Sequence, residues 1–234
     1  MDLVATNKEK PLGCPFVTVL ICAKNEATNL PYVLPKIPAW VDEIILVDGN
    51  SSDRTVDVAK NLCPQIKVLF QQDTGKGNAI RYGIRESKGE IIVTLDADGS
   101  TDPSEIENFI VPLLNGCDFA KGSRFLKTRP VIPRFRILGN QFFALLTNIL
   151  YGSNYTDLCA GLNAFWKKII PRLDQTGTSF MDEPTFNIRL RKGKFKVKEV
   201  TQHDAGRING KGKEDFLTQG WRIFSIIIKE RFNE

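Results

Sequence analysis

Two carboxylates one residue apart, at the end of an apolar run, are the side chains of this chain best suited to chemistry. Residues 91–95 are apolar except for one threonine, and Asp96 and Asp98 follow directly. Such a run predicts a buried strand, whose carboxyl end is where open α/β sheets bind ligands. Hard carboxylate oxygens suit Mg²⁺ or Mn²⁺ bridging to a substrate diphosphate. For this stretch alone an ordinary turn is the alternative, because Asp and Gly also favour turns.

The elements that would position these carboxylates are repeated βα units. Strands are predicted at Phe16–Cys22, Glu43–Asp48, Ile66–Gln71, Glu90–Leu95 and Phe119–Gly122, and helices at Arg54–Leu62, Asn78–Ser87 and Pro103–Leu114. This alternation predicts a mostly parallel sheet. The carboxyl ends of parallel strands share one edge, so we expect the polar segments after the first four strands to converge on one crevice.

Charge is divided unevenly along the 234 residues, of which 42% are hydrophobic. Residues 1–120 carry 11 Lys/Arg and 17 Asp/Glu, whereas residues 121–234 carry 21 and 10. The acidic first half is suited to binding a metal, and the basic second half is suited to binding phosphates, nucleic acid or an anionic membrane. The alternative is that the basic residues only form a solvent-exposed surface. A nucleic-acid-binding protein is the remote alternative, because no such motif is present and stacking aromatics do not alternate with the basic residues.

Cysteine spacing and apolar segments indicate the compartment. The five cysteines show no C-x-x-C spacing, which predicts neither a disulfide framework nor a zinc site. Residues 1–11 lack the apolar core of a signal peptide, and no apolar stretch reaches the roughly 20 residues of a membrane helix. We expect a cytoplasmic protein that is soluble or peripheral at the cytoplasmic face of a membrane.

Two amphipathic helices are predicted in the basic half, over Arg136–Leu150 and Glu214–Phe232. Their apolar stripes favour core-facing helices, and a helix lying on a membrane is the alternative. The domain boundaries we expect are an N-terminal tail at 1–15, a catalytic domain at 16–213 with halves 16–122 and 123–213, and a C-terminal amphipathic helix at 214–234.

An ordered set of segments resembles the family 2 glycosyltransferases of GT-A fold, in particular the polyprenyl-phosphate (dolichyl-phosphate) hexose synthase-like branch. The matching segments are 25–26, 47–55, 75–79, 95–103, 122–125, 157–161 and 207–210. The resemblance covers about residues 16–213. It implies an α/β, Rossmann-like GT-A fold, with a mostly parallel sheet flanked by helices and a helical, basic C-terminal portion.

The resemblance also implies roles on the donor side. Asp98 would be the principal ligand of Mg²⁺ or Mn²⁺, and Asp96 would face the nucleotide and assist the metal. Departure of a nucleoside diphosphate builds negative charge, which a divalent cation and nearby cationic side chains stabilise. Nucleotide-sugar binding is implied for Ala23, Asn25, Glu26, Asp48, Gly49, Lys76, Gly77, Asp96 and Ala97.

On the acceptor side, the predicted catalytic residues are Glu183, Asp182, Arg124 and Arg207. Arg136, Lys213 and Asp157 are predicted to bind the acceptor or its phosphate. Met181 stands where relatives commonly carry a carboxylate, so the choice of base stays open. The single histidine, His203, is expected to be structural or exposed to solvent.

The implied reaction is transfer of a hexose, with inversion, from a UDP- or GDP-sugar. A polyprenyl phosphate at a membrane surface is the favoured acceptor, and a soluble sugar, glycan or small-molecule hydroxyl is the alternative. A hydroxyl acceptor needs a base, for which Glu183 or Asp182 is predicted. A phosphate acceptor needs none, because its second pKa is about 6 and it is already mostly anionic at neutral pH.

Overall fold

One mixed sheet with helices on both faces forms the framework of the protein. The computed structural model describes residues 9–127, 130–173, 183–210 and 216–232. Within them the strands are β1 (Val17–Ala23), β2 (Glu43–Asp48), β3 (Lys67–Phe70), β4 (Ile91–Asp96), β5 (Phe119–Ser123), β6 (Asn163–Trp166) and β7 (Val197–Thr201). The helices are α1 (Leu30–Val33), α2 (Thr55–Leu62), α3 (Lys76–Glu86), α4 (Ile106–Leu114), α5 (Arg134–Tyr151), α6 (Ile170–Leu173), α7 (Glu183–Lys192) and α8 (Phe216–Phe232).

The first four strands bring their carboxyl ends to one edge, as the sequence predicts. The strand order is β3-β2-β1-β4-β6-β5-β7, and β1 pairs in parallel with both β2 and β4. Ala23 lies opposite Asp48, and Cys22 lies opposite Asp96. Gly49 donates its backbone N–H to the carbonyl of Ala23 at 2.8 Å. The polar segments after these strands therefore start side by side.

Strands from both predicted halves of the catalytic domain share this sheet. β6 pairs antiparallel with β4 and β5, and β7 pairs in parallel with β5. Neither β6 nor β7 is predicted from the sequence, and α7 is also absent from the prediction. The predicted α/β class with a mostly parallel sheet is confirmed, with β6 as the antiparallel member.

The core lies on both faces of the sheet. The inward faces of α1, α2 and α4 pack on one side, around Ile21, Val93 and Phe109. Helices α3, α6 and α7 cover the other side, around Leu20, Ile92 and Phe165. β1 and β4 are buried along nearly their whole length, as expected of central parallel strands.

Most of the predicted apolar stripe of α5, and Trp221 of the α8 stripe, do not face the core, so the core-facing interpretation is wrong at these positions, whereas Phe224 and Ile228 of α8 are partly buried. On α5, Leu138, Phe142, Leu145 and Ile149 are 56–70% exposed, and on α8 Trp221 is 71% exposed. Both helices use a different face for packing, which forms a separate cluster with α7 and the segment before β6. We call these five exposed side chains the apolar face. Among the described residues, no helix is both long enough and apolar enough to span a bilayer.

Candidate active site

Lys76 joins two of the predicted site carboxylates. It is the first residue of α3, and its Nζ lies 2.7 Å from Asp96 Oδ1 and 2.5 Å from Glu183 Oε1. Asp96 ends β4 and Glu183 begins α7, so three elements meet at one ammonium group. Burial by itself would lower the pKa of Lys76, but the two carboxylates outweigh it and hold the pKa well above its ordinary value. Lys76 is therefore a cation at the carboxyl edge of the sheet.

Asp98 lies in the turn after β4. Its Oδ1 accepts a hydrogen bond from the backbone N–H of Ser100 at 3.0 Å, and its Oδ2 lies 3.7 Å from Nη1 of Arg207. Burial and the neighbouring charge of Asp96 raise the pKa of Asp98, against the opposing effects of Ser100 and Arg207. The two aspartates thus hold negative charge that their protein neighbours balance only in part.

This pair of carboxylates fits a divalent cation whose remaining coordination positions are filled by substrate phosphates. Mg²⁺ in nucleotide sites is usually held by one or two carboxylates together with substrate phosphates, not by an all-protein cage. The side chains of Asp96 and Asp98 are 29% and 27% exposed, so both remain accessible. The described residues contain no group of three or more His, Cys, Asp or Glu side chains arranged to hold a metal. Asp98 and Asp96 are therefore the candidate protein ligands.

Side-chain hydrogen bonds lock the loops after β1 and β2 together. Asp48 is only 2% exposed and accepts hydrogen bonds from the backbone N–H and the hydroxyl of Ser51, at 3.0 and 2.5 Å. Ser51 Oγ accepts from the backbone N–H of Asn25 at 2.9 Å, and Asn25 Oδ1 accepts from the N–H of Ser52 at 2.7 Å. Asn25 has a φ of 55°, a left-handed conformation in which Asn is enriched. These bonds hold Asn25 beside Asp48.

A second network ties the loop after β1 to a segment 180 residues further along the chain. Arg207 Nη2 donates to Glu26 Oε2 at 2.6 Å, and its Nε donates to the carbonyl of Asn209 at 2.7 Å. Asn29 donates to the same Glu26 oxygen at 2.7 Å and accepts from the N–H of Asn209 at 2.9 Å. Arg207 therefore lies between Glu26 and Asp98, in contact with both loops of the site.

Residues without bulky side chains leave room at the site. A Cβ on Gly161 would lie 1.9 Å from Asp96 Oδ2, and one on Gly49 would lie 3.3 Å from its nearest side-chain atoms. Gly77 and Ala97 are buried beneath the edge. The donor-binding roles predicted for these residues stay predictions, but the structure brings them to the same edge of the sheet.

Arg124 and Asp157 form a buried ion pair. Arg124 donates to the two carboxylate oxygens of Asp157 from Nε at 2.7 Å and Nη2 at 3.0 Å, and its Nη1 lies 3.5 Å from Asp204 Oδ2. Asn140 Nδ2 also donates to Asp157, at 2.6 Å. Burial would raise the pKa of Asp157, but its bonds to Arg124 outweigh burial and hold the pKa well below its usual range. Both residues thus have a structural partner, and their predicted contacts with substrate stay predictions.

A groove of about 150 Å³ between α5 and α8 adjoins this ion pair. Arg124 and Arg136 both line it, so the structure brings together two cations predicted at the acceptor. Its remaining walls include apolar or small residues, namely Ile132, Gly139, Phe143, Gly220 and Ile223. The groove thus combines guanidinium groups with an apolar surface.

Two predicted site residues and the single histidine remain. Asp182 and Lys213 lie outside the described residues. The side chain of His203 is 69% exposed and its Nδ1 contacts Glu105 Oε1, in line with the structural role expected of it.

Several side chains that organise the site are missing from the prediction. Asn29 and Asn209 bridge the donor loop to the Arg207 segment, and Ser51 holds Asp48. Gly161 makes space for Asp96. Ser51, Gly161 and Asn209 had a signal in the sequence, because they lie in the family-like segments 47–55, 157–161 and 207–210; Asn29 lies outside all of these segments.

Comparison with known proteins places the geometry in a family. Residues 18–174 match glycosyl transferase family 2. The chain is 28% identical over 169 residues to glycosyltransferase AglJ of Haloferax volcanii, covering 70% of this chain and 54% of that protein. It is 29% identical over 224 residues to an undecaprenyl-phosphate 4-deoxy-4-formamido-L-arabinose transferase of Shewanella sediminis, covering 91% of this chain and 66% of that protein. The chain thus spans less than two thirds of the length of either relative.

The fold is similar to that of glucosyl-3-phosphoglycerate synthase from Mycobacterium tuberculosis, solved with Mn²⁺, UDP and glucosyl-3-phosphoglycerate. The TM-score is 0.73 at 17% identity, covering 92% of this chain and 80% of that one. The GT-A fold and the resemblance to polyprenyl-phosphate sugar transferases, both predicted from the sequence, are confirmed. The chain belongs to glycosyl transferase family 2.

Proposed function

We propose that the protein is a metal-dependent, inverting glycosyltransferase that moves a hexose from a UDP- or GDP-sugar to a polyprenyl phosphate. An acceptor oxygen attacks the anomeric carbon, the bond from that carbon to the donor diphosphate breaks, and a nucleoside diphosphate leaves. The observation that carries the proposal is the convergence of Asp96, Asp98 and Lys76 at the edge where Asn25 and Asp48 also lie. The relative named for undecaprenyl phosphate and the neighbour solved with Mn²⁺ and UDP support it.

The donor side supplies charge for the leaving group. A Mg²⁺ or Mn²⁺ ion bound to Asp98 and Asp96 would neutralise the donor diphosphate. Lys76 keeps its proton and lies within reach of that position, so it adds a cation where negative charge develops. Arg207, 3.7 Å from Asp98, adds a second.

Donor and metal binding can be tested together by thermal unfolding. We expect Mn²⁺ with UDP or GDP to raise the melting temperature, since a ligand at 100 times its Kd adds about 2.7 kcal/mol of stability. Asp98→Asn should remove the part of this shift that depends on Mn²⁺, because an amide is a poorer ligand for a hard cation. Asp57→Asn on α2, whose side chain is 65% exposed, is the matched control. An unchanged Mn²⁺-dependent shift in Asp98→Asn would contradict the metal assignment.

The acceptor side combines phosphate-binding and lipid-binding chemistry. Arg124 and Arg136 line the groove between α5 and α8, and guanidinium groups bind phosphate oxygens well. The same two helices carry the apolar face, which water does not favour. We propose that this face rests on the membrane that holds the lipid acceptor, and that the protein is peripheral at the cytoplasmic side. The scattered spacing of the five cysteines, without a C-x-x-C motif, supports a reducing compartment.

Vesicle binding tests the membrane part of the proposal. We expect co-sedimentation with anionic vesicles that falls as salt rises, since each nearby Lys or Arg adds about 1 kcal/mol of attraction. The double variant Leu138→Ser/Trp221→Ser should co-sediment less with these vesicles, because both side chains lie on the apolar face and are at least 67% exposed. Val111→Ser on α4, where the valine is 44% exposed, is the control. Equal binding by all three proteins would remove the apolar face from the proposal.

The acceptor class can be tested by comparing hexose transfer to a polyprenyl phosphate with hexose transfer to a soluble hydroxyl acceptor. We expect hexose transfer to a short-chain polyprenyl phosphate that survives Glu183→Gln, because a phosphate acceptor needs no base. Transfer only to a soluble hydroxyl acceptor, abolished by Glu183→Gln, would replace the lipid acceptor with a soluble one. The neighbour solved with glucosyl-3-phosphoglycerate makes that the second candidate.

A further inference from the structure

A second groove runs along the outer side of α3. Its end at Gln71 adjoins Asp48 and Gly49 of the candidate active site, and the rest of it leads away from that site. It measures about 900 Å³, within the range of pockets that hold small-molecule ligands. One wall is α3, and the opposite wall is the segment from Trp166 to Pro171, at the end of β6 and the start of α6. The residues between α3 and β4, Lys88 to Glu90, also line it. Neither the metal-binding aspartates nor Lys76 lines this groove.

Cations predominate in the lining. Five basic side chains, Arg81, Arg85, Lys88, Lys167 and Lys168, face two acidic ones, Asp73 and Glu90. The groove is therefore electropositive although it is built largely from the acidic half of the sequence. A cleft lined by one sign of charge concentrates counter-ions of the other sign.

Each wall holds a cation over an aromatic ring. On α3 the guanidinium carbon of Arg85 lies 5.0 Å from the centre of the Tyr82 ring, and on the opposite wall Lys168 Nζ lies 4.8 Å from the centre of the Trp166 ring. Both distances suit a cation–π contact. Arg85 also donates from Nε to Glu86 Oε1 at 3.2 Å, so its Nη groups are the donors that it offers to a ligand. Lys167 Nζ donates to the carbonyl of Ser87 at 2.6 Å and so links the two walls.

We propose that this groove is a second binding site, for a small soluble ligand that carries several phosphate groups. Arg and Lys are the side chains that bind phosphate oxygens, and here they stand on both sides of a groove large enough for an organic polyphosphate. The inference does not rest on the proposed transferase reaction, because the groove is built from other residues.

Calorimetric titration of the full chain with inorganic tripolyphosphate, in EDTA, tests the site. We expect Lys88→Glu/Lys168→Glu to weaken binding at least about tenfold, equivalent to about 1.4 kcal/mol. Lys60→Glu/Lys198→Glu makes the same change of net charge at exposed lysines outside the groove, and should bind like wild type. Lys76→Gln should also bind like wild type, which separates this groove from the donor site.

Three outcomes would overturn the proposal. They are an absence of tripolyphosphate binding to wild type, equal weakening by both double-lysine variants, and loss of binding in Lys76→Gln. The first would show that the groove takes no polyphosphate, the second that only net charge matters, and the third that the probe occupies the donor site. If Lys88→Glu/Lys168→Glu instead reduced only binding to anionic vesicles, the phosphate would come from a lipid headgroup and not from a soluble ligand.

Discussion

Adding one methyl group at Gly161 should displace the Asp96 carboxylate. A Cβ at this position would lie 1.9 Å from Asp96 Oδ2 and 2.6 Å from its Cγ, far inside van der Waals contact. The backbone of Gly161 is not among the glycines with positive φ, so Gly161→Ala introduces the side-chain contact without backbone strain. Asp96 is 29% exposed and can turn towards solvent to relieve the clash. The carboxylate oxygen must move by roughly 1.5 Å to reach an ordinary contact distance of about 3.5 Å.

The clashing oxygen is Oδ2, whereas Lys76 pairs with Oδ1 at 2.7 Å. The Cγ, 2.6 Å from the added Cβ, must move as well, so we expect Oδ1 to be displaced and its distance to Lys76 to lengthen beyond the ordinary hydrogen-bond range. A misplacement of about 1 Å in an active site costs roughly 100-fold in rate, or about 2.7 kcal/mol of barrier. The fold should change less, because a partly exposed ion pair contributes only about 0–1 kcal/mol to stability.

The measurement is kcat/KM for hexose transfer, together with the free energy of unfolding. We expect Gly161→Ala to lose roughly 100-fold in kcat/KM and to unfold within about 1 kcal/mol of wild type. Gly116→Ala, in the turn between α4 and β5, is the control for kcat/KM, because a Cβ there would meet nothing within 4 Å. Its positive φ of 89° should affect stability only. If the clash acts through Asp96, adding Gly161→Ala to Asp96→Ala should cost little further activity. Near-normal turnover in Gly161→Ala, or a full additional loss in the double variant, would refute this reasoning.

The buried ion pair yields two further predictions. Arg124→Gln should lower the free energy of unfolding by about 3–5 kcal/mol in urea titrations, because the fully buried Asp157 carboxylate loses its paired cation and keeps hydrogen bonds only from neutral groups such as Asn140. Arg136→Gln, on the groove wall, should change the free energy of unfolding much less. The pKa of Asp157 is lower in the folded state than its unfolded value of about 3.9. Ionised Asp157 therefore contributes its full share to the free energy of unfolding above about pH 3.9, and this share is lost as the pH falls below 3.9 towards the pKa of the folded state. Unfolding measured between about pH 6 and pH 3 should show this loss in wild type and a smaller one in Asp157→Asn. A wild-type slope no steeper than that of the variant would contradict it.

The donor side of the fold could be predicted because its signals are local. Each of the first four strands is an apolar run that ends in polar residues, and the parallel pairing then fixes which ends meet. The pairing of Cys22 with Asp96 and of Ala23 with Asp48 follows from that rule. Predicted and observed ends of these strands differ by one residue or less.

Helix α7 could not be predicted, because it is buried on all sides. Seven of its ten residues, Pro184 to Leu190, are buried, and three of those are the polar residues Thr185, Asn187 and Arg189. Hydrophobic periodicity requires one face towards solvent, which this helix lacks. Its buried polar groups are satisfied by distant partners: Asn187 donates to the carbonyl of Leu158 at 3.1 Å, and Arg189 pairs with Glu230 at 2.8 Å. The local sequence of α7 contains no pattern from which these distant partners could be predicted.

Helix α5 shows the opposite difficulty, since its sequence is apolar on two faces. Leu138, Phe142, Leu145 and Ile149 recur at helical spacing, but the side that packs against α7 and α8 contains Ala144 instead. Periodicity identifies an apolar stripe without saying what covers it. Phe143, Leu146 and Leu150 pack partly buried beside Ala144, while the other four large side chains face outward. The proposed membrane contact would cover the four exposed side chains of α5, which no other part of the described structure buries.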